Sequence, residues 1–205
     1  MSATNRGSIV ISQEFYPTPV TTTNSILAEI DMSRVQTFTE PCRGDGHIYD
    51  LILGPYKYYC ELSEGTDYLI TEMPQVDLIL TNPPFSLAQQ FITKALTEAQ
   101  TVIMLQRVNF LGSQERKSFW NTNPPTHLFV LSNRPKFVAT CTNKSLDSNG
   151  KRICTDKHSY QITTPATPCV SCGQPTRPTS DATEYAWFCW DRGGLLTKPP
   201  GVYVL

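Results

Sequence analysis

Val76-Asp77-Leu78-Ile79-Leu80-Thr81-Asn82-Pro83-Pro84-Phe85-Ser86 decides the fold of this 205-residue chain. Apolar side chains at 76, 78, 79 and 80 are too dense for a strand with one wet face, so they predict a strand buried on both sides. The Asn-Pro-Pro turn ends it, because proline cannot donate to a sheet ladder. Ser86 then reads as the cap of a helix reaching about residue 98. A buried strand, a tight turn and a helix make up the repeating half of a parallel sheet.

The same alternation extends outward. Val20, Ile26, Leu27 and Ile30 recur at helical spacing after Tyr16-Pro17-Thr18-Pro19, predicting a helix over 20–30. Residues 35–39 alternate as a strand and run into Glu40-Pro41-Cys42-Arg43-Gly44-Asp45-Gly46. A helix is expected over 47–53 and a strand over 56–61. Beyond the central stretch, strands are expected at 101–105, 127–131, 185–190 and 202–205, with a short helix at 114–120. The expectation is an α/β chain: a mostly parallel seven-stranded sheet with helices on both faces. Residues 1–205 read as one domain carrying an inserted segment, 138–183. That segment is rich in Thr, Pro, Ser and Cys, lacks an apolar period and exceeds an ordinary loop.

Composition narrows the class. With 40% hydrophobic and 17% charged residues the chain is neither disordered nor a coiled coil. No apolar run approaches the ~18 residues of a membrane helix, so no membrane partner is expected. Ile9-Val10-Ile11 is too short for a signal-peptide core. Seven cysteines without a secretion signal read as reduced thiols, so a soluble, cytoplasmic protein is expected. The net charge of −1 hides an asymmetry. Residues 133–178 hold seven Lys or Arg against Asp147 and Asp156, hence +5, leaving ten basic and sixteen acidic residues elsewhere, hence −6. A polyanion would be drawn to that segment, although a solvated basic loop has the same charge count.

Three constellations carry chemistry. In the first, Gly44 and Gly46 let the backbone turn tightly beside a ligand at a strand's carboxyl end. Glu61, ending the next strand, can accept hydrogen bonds from both hydroxyls of a ribose. Glu40 and Asp45 make the loop unwelcoming to phosphate, whereas a cation with an adenosine end, such as S-adenosylmethionine, suits it. Asp67 could accept from the adenine amine. In the second, Asn82-Pro83-Pro84-Phe85, the Asn82 side-chain carbonyl and the Pro83 backbone carbonyl form a rigid pair of acceptors. Such a pair on the N–H bonds of an aryl amine favours a pyramidal, nucleophilic nitrogen. Phe85 offers a face to a planar substrate. In the third, Cys141, Cys154, Cys169 and Cys172 fall within 32 residues, the last two as a Cys-x2-Cys-Gly turn. They suit structural zinc, with His158 as an alternative to Cys141, or remain free thiols on a loop. Cys42, Cys60 and Cys189 read as buried small hydrophobes.

On these residues the chain resembles S-adenosylmethionine-dependent amino methyltransferases, above all the phage-type DNA N6-adenine methyltransferases. Asn82-Pro83-Pro84-Phe85 is similar to their catalytic (D/N/S)PP(Y/F) tetrapeptide, and Glu40-Pro41-x-x-Gly44-x-Gly46 to their cofactor loop. Glu61 and Asp67 resemble their ribose- and adenine-binding acids. Phe15-Tyr16-Pro17-Thr18-Pro19 resembles the segment that packs on the methionine end of the cofactor, which implies cofactor-binding roles for Tyr16, Thr18 and Pro19. Tyr16 either closes over the reactants or is an ordinary packed aromatic. Arg43 departs from the pattern, standing where members often carry a small residue.

The resemblance implies a Rossmann-like class I methyltransferase fold. It also implies methyl transfer to adenine N6 in double-stranded DNA, in the cytoplasm of a bacterial host, by a phage- or prophage-encoded enzyme. The cysteine-bearing insertion lies outside the resemblance and reads as a DNA clamp and target reader, or as a surface loop. Methylation of protein glutamine or of RNA bases, and a non-catalytic DNA-binding module on the same scaffold, are the rivals.

Overall fold

The computed structural model of the chain describes residues 16–141, 145, 148–150, 154, 157–159, 168–169, 172–179 and 182–205, with the backbone alone at 138–140, 157–159, 178 and 179. Phe15, Lys144, Asp147, Lys151, Arg152 and Asp156 lie outside the described residues, as do the side chains of Lys157 and His158. Two compact units divide the chain. The smaller gathers residues between Met1 and Pro19 with those between Pro135 and Ala182. The larger gathers Val20–Arg134 and Thr183–Leu205.

Strands form at β1 (Thr37–Glu40), β2 (Tyr56–Tyr59), β3 (Val76–Thr81), β4 (Ala99–Arg107), β5 (His127–Val130), β6 (Val138–Cys141), β7 (Lys157–Ser159), β8 (Thr176–Thr179), β9 (Tyr185–Asp191) and β10 (Gly201–Val204). Helices form at α1 (Val20–Leu27), α2 (Ala88–Glu98) and α3 (Lys117–Thr122). In the larger unit seven strands make one sheet in the order β10-β5-β9-β4-β3-β1-β2. All run parallel except β9, which lies antiparallel between β4 and β5.

Both faces of that sheet are covered. Ile79, Val102, Met104, Phe188 and Trp190 pack with Phe91, Ile92 and Ala95 of α2 and Phe119 of α3. Leu78, Leu80, Ile103, Leu105 and Trp187 alternate with them, point to the opposite face and are fully buried too. Each such side chain contributes about 1.5–3 kcal/mol on burial. At the amino end of β3 a polar lock sets the register. The Asp77 carboxylate accepts from the Gln36 amide, the Thr37 amide and the Thr37 hydroxyl, each at 2.9 Å. In return the Asp77 amide donates to Thr37 Oγ1 at 2.9 Å. The pairing of Phe38 with Leu78 and Thr39 with Ile79 follows.

The structure corrects several local expectations. The helix expected over 47–53 is a single 3-10 turn, Tyr49–Leu51. Only a few residues separate Gly46 from Gly54-Pro55, too few to repay helix nucleation. Ser86 sits inside a 3-10 turn, Phe85–Leu87, with Leu87 at the cap position of α2. The rigid Pro84 carbonyl captures the Leu87 amide at 3.0 Å and fixes that turn. The helix expected at 114–120 is a 3-10 turn, Gln114–Arg116, leading into α3. α1 stops at Leu27, and Ile30 bridges to Leu196 instead of continuing the helix. Its run of threonines is a weak helix former, so a competing bridge wins. The inserted segment contains a three-stranded antiparallel sheet, β7-β6-β8, where no regular structure was expected. Among the described residues no helix is long and apolar enough to cross a membrane.

Burial alone would raise the Asp77 carboxyl, but the Thr37 and Gln36 donors outweigh it and hold the group below the ordinary aspartate range. A lowered folded pKa means the added stability is present above pH ~4, the unfolded value, and is lost as pH falls through the folded one. Asp77→Asn is expected to cost about 1 kcal/mol at neutral pH. In urea titrations the gap from wild type should close as the medium is made more acidic.

Candidate active site at the carboxyl edge of the sheet

Parallel strands in register bring their carboxyl ends to one edge. Glu40 pairs with Tyr59, Thr39 with Ile79 and Thr81 with Met104. The loops after β1, β2 and β3 and the end of β4 at Arg107 therefore open on the same side of the larger unit, where ligands of such sheets bind.

The loop after β1 is held by its neighbour. The Gly44 amide donates to Glu61 Oε2 at 2.7 Å. The Ser63 amide and hydroxyl donate to Glu61 Oε1 at 2.9 and 2.7 Å. Partial burial would raise the Glu61 carboxyl, yet these bonds from Ser63 and Gly44 together hold it below its usual range. Gly44 (φ +52°) and Gly46 (φ +86°) both occupy the left-handed region. Side chains are strained there, so both positions need glycine. Arg43, which departs from the pattern of the methyltransferases the sequence resembles, pairs with Glu64 at 2.8 Å, its guanidinium 4.6 Å from the Tyr59 ring centre.

Glu40 is only 2% exposed. Burial pushes its carboxyl well above the usual range, a hydrogen bond from the Tyr49 amide acting in the other direction. Glu40 Oε2 has no hydrogen-bond partner among the described residues. Cys42 beside it is half-buried, and burial, then the Glu40 and Glu61 charges, push its thiol up. Cys60 and Cys189 are fully buried, as expected. Asp67 uses one carboxylate oxygen to accept from the Leu69 amide at 2.9 Å. The next residue, Tyr68, anchors that turn by donating its buried hydroxyl to Glu98 at 2.6 Å.

At the end of β3, Pro83 is buried while Asn82, Pro84 and Phe85 are half-buried. The Phe85 ring lies 5.7 Å from that of Tyr185, tilted by 43°. The Arg107 guanidinium sits 4.8 Å from the Phe85 ring centre. Sequence reasoning assigned no role to Arg107 or Tyr185. The usable signal was position: Arg107 ends an apolar strand adjacent to β3, and β9 pairs it with Tyr185.

No family model and no curated protein matches the sequence. Among solved structures, a protein of Pyrococcus horikoshii proposed as an RNA methyltransferase is similar over 90% of this chain and 90% of its own, with TM-score 0.53 and 13% identity. A dimethyladenosine transferase of Plasmodium falciparum aligns over 85% of this chain and 62% of its own, with TM-score 0.46 and 12% identity. The fold is Rossmann-like, of the methyltransferase type.

In the smaller unit, Tyr16 is half-buried with its ring 5.7 Å from that of Phe137, Thr18 is buried and Pro19 half-buried. Cys141, Cys154, Cys169 and Cys172 converge there, every sulfur within 4.8 Å of the others.

The glycine loop yields a test of strain against crowding. A Cβ on Gly46 would come within 2.8 Å of the Asp50 carboxylate, the movable end of a flexible side chain. The φ strain cannot be moved. Gly46→Ala is expected to lose about 1–2 kcal/mol in thermal melts. Adding Asp50→Ala should recover little of that loss, because backbone strain sets it.

Proposed function

We propose that the chain transfers a methyl group from S-adenosylmethionine to the N6 amine of adenine in DNA. One observation carries the reading: the register of β1 with β3 sets the glycine loop and Asn82-Pro83-Pro84-Phe85 side by side on one sheet edge.

The residues present fit the cofactor. Gly44 and Gly46 keep the loop free of side chains, and Glu61 retains acceptor capacity beyond its three internal bonds for a ribose. Glu40 offers a buried oxygen with no partner among the described residues, suited to a cation. Asp67 keeps a second carboxylate oxygen for an adenine amine. The family resemblance assigns Tyr16, Thr18 and Pro19 to its methionine end and Pro41 to the cofactor loop. When bound, S-adenosylmethionine supplies an electrophilic methyl group on a sulfonium.

The chain's own residues prepare the acceptor. Asn82 and the Pro83 carbonyl accept the two N–H bonds of the amine and stabilise the positive charge that grows on nitrogen as it attacks. Proline at 83 and 84 removes the amide donors that would compete and stiffens the pair. Phe85 stacks on the base, which must leave the duplex to reach this edge.

Charge is sorted along the same edge. The acids of the β1 and β2 loops lie on one side of β3, and Arg107 ends β4 on the other. A cationic donor suits the first side and a polyanion the second. The +5 charge of residues 133–178 favours nucleic acid over protein as substrate. Methylation of RNA bases is the second reading, favoured by the activity proposed for the Pyrococcus neighbour.

Asn82→Ala should abolish methyl transfer while calorimetry still detects cofactor binding. Full activity in that variant would overturn the site. Radiolabel transfer offered to DNA, RNA and protein together should mark DNA alone. Label on RNA or protein would reassign the substrate, and cofactor binding without transfer to any would favour a non-catalytic module.

A further inference from the structure

We infer that Cys141, Cys154, Cys169 and Cys172 bind one zinc ion as a tetrathiolate, and that this ion is the folding nucleus of the small three-stranded sheet. The inference stands apart from methyl transfer and needs only the smaller unit.

Topology gathers the four residues. Cys141 ends the central strand β6, opposite Thr176 at the start of β8, and Thr140 faces Lys157 at the start of β7. Cys172 precedes β8 by four residues and Cys154 precedes β7 by three, so all four collect at one end of the sheet. Cys141 Sγ lies 3.4 Å from Cys172 Sγ, and Cys154 Sγ 3.5 Å from Cys169 Sγ. With Zn–S bonds of ~2.3 Å, the edge of a tetrahedron of sulfurs is roughly 3.8 Å. The observed distances, from 3.4 Å to at most 4.8 Å, bracket that edge. A disulfide needs ~2.05 Å, and neither close pair approaches it.

The turn around the last two cysteines supports the same conclusion. The Gly173 amide donates to the Cys169 carbonyl at 2.7 Å, and the Cys169 amide donates to the Gln174 carbonyl at 2.8 Å. Gly173 has φ +69°, which closes the bend. Cys141, Cys154 and Cys169 are at most 5% exposed, and among the described residues the apolar cluster at this end is made of the four cysteines themselves. Residues 138–183 are rich in Thr, Pro and Ser and lack an apolar period, so their composition offers little to offset chain entropy and a metal supplies the missing stability. Soft thiolates choose zinc over magnesium or calcium. Four sulfurs complete the tetrahedron with Cys141 among them.

The test uses the full chain expressed with zinc. Metal analysis should return about one zinc per chain, and cobalt substitution should give the visible absorption of a tetrahedral thiolate site. Chelation should expose four thiols to a thiol reagent and make residues 135–182 sensitive to limited proteolysis. Trp120, Trp187 and Trp190 all lie in the larger unit, so their fluorescence should not change. Cys154→Ser should weaken apparent zinc affinity at least about tenfold, whereas Cys60→Ala should leave it unaltered. Three results would overturn the inference. One is a zinc-free chain whose segment resists protease. Another is intact mass showing two disulfides among these cysteines. The third is zinc retained at full affinity by Cys154→Ser.

Discussion

The reciprocal bonding of Asp77 with Thr37 is the constraint on which the carboxyl edge of the sheet depends. Strands pair through repeating backbone groups, so the ladder alone tolerates slippage. A slip of one residue would carry the end of β1 ~3.3 Å past the end of β3 and turn every side chain to the other face. Asp77 can satisfy the Gln36 and Thr37 amides and the Thr37 hydroxyl in one register only. The hydrophobic pattern reinforces it, because Leu78 and Phe38 are fully buried where they stand. The lock sits at the amino end of the strands, away from the candidate site, and it is what makes Glu40 and Asn82 neighbours.

The neighbouring pairings extend that alignment to the rest of the edge. β2 follows β1 from Thr37 to Glu40, which brings Glu61 within reach of the Gly44 amide. β4 follows β3 to Thr81, which sends Arg107 past the tetrapeptide. No long side chain has to stretch across the site. Groups separated by many residues in sequence meet because strands of matched register end at similar heights.

Much of this was legible in the sequence. The strand run before Asn82, the seven strand signals and the positions of Glu40, Gly44, Gly46 and Glu61 follow from burial density, glycine placement and spacing. What could not be read has identifiable causes. The 3-10 turn at Tyr49–Leu51 has helix-like apolar spacing, since Ile48 and Ile52 are both buried, but not the length. Arg107 is the last residue of a hydrophobic strand, and its contact with Phe85 depends on a neighbouring strand's register. The small sheet gave no periodic signal because its clustered apolar groups are sulfurs at strand ends and in a turn. Binary patterning needs alternating apolar residues, and Lys157-His158-Ser159 and Thr176-Arg177-Pro178-Thr179 hold none.

The choice of an amide at residue 82 follows from the surrounding charges. Burial pushes the Glu40 carboxyl well above its usual range, while bonds from Ser63 and Gly44 hold that of Glu61 below it. A carboxylate at 82 would add a third acid to the same edge, and mutual repulsion would raise the proton affinity of the group. Once protonated it would offer a donor where an acceptor is needed. The Asn82 carbonyl accepts at any pH the fold survives, and it repels neither the acids on one side nor, in the proposed reaction, a phosphate on the Arg107 side. The tetrapeptide thus forms a neutral boundary between the half of the edge suited to a cation and the half suited to an anion, and this is where a methyl group would pass between them.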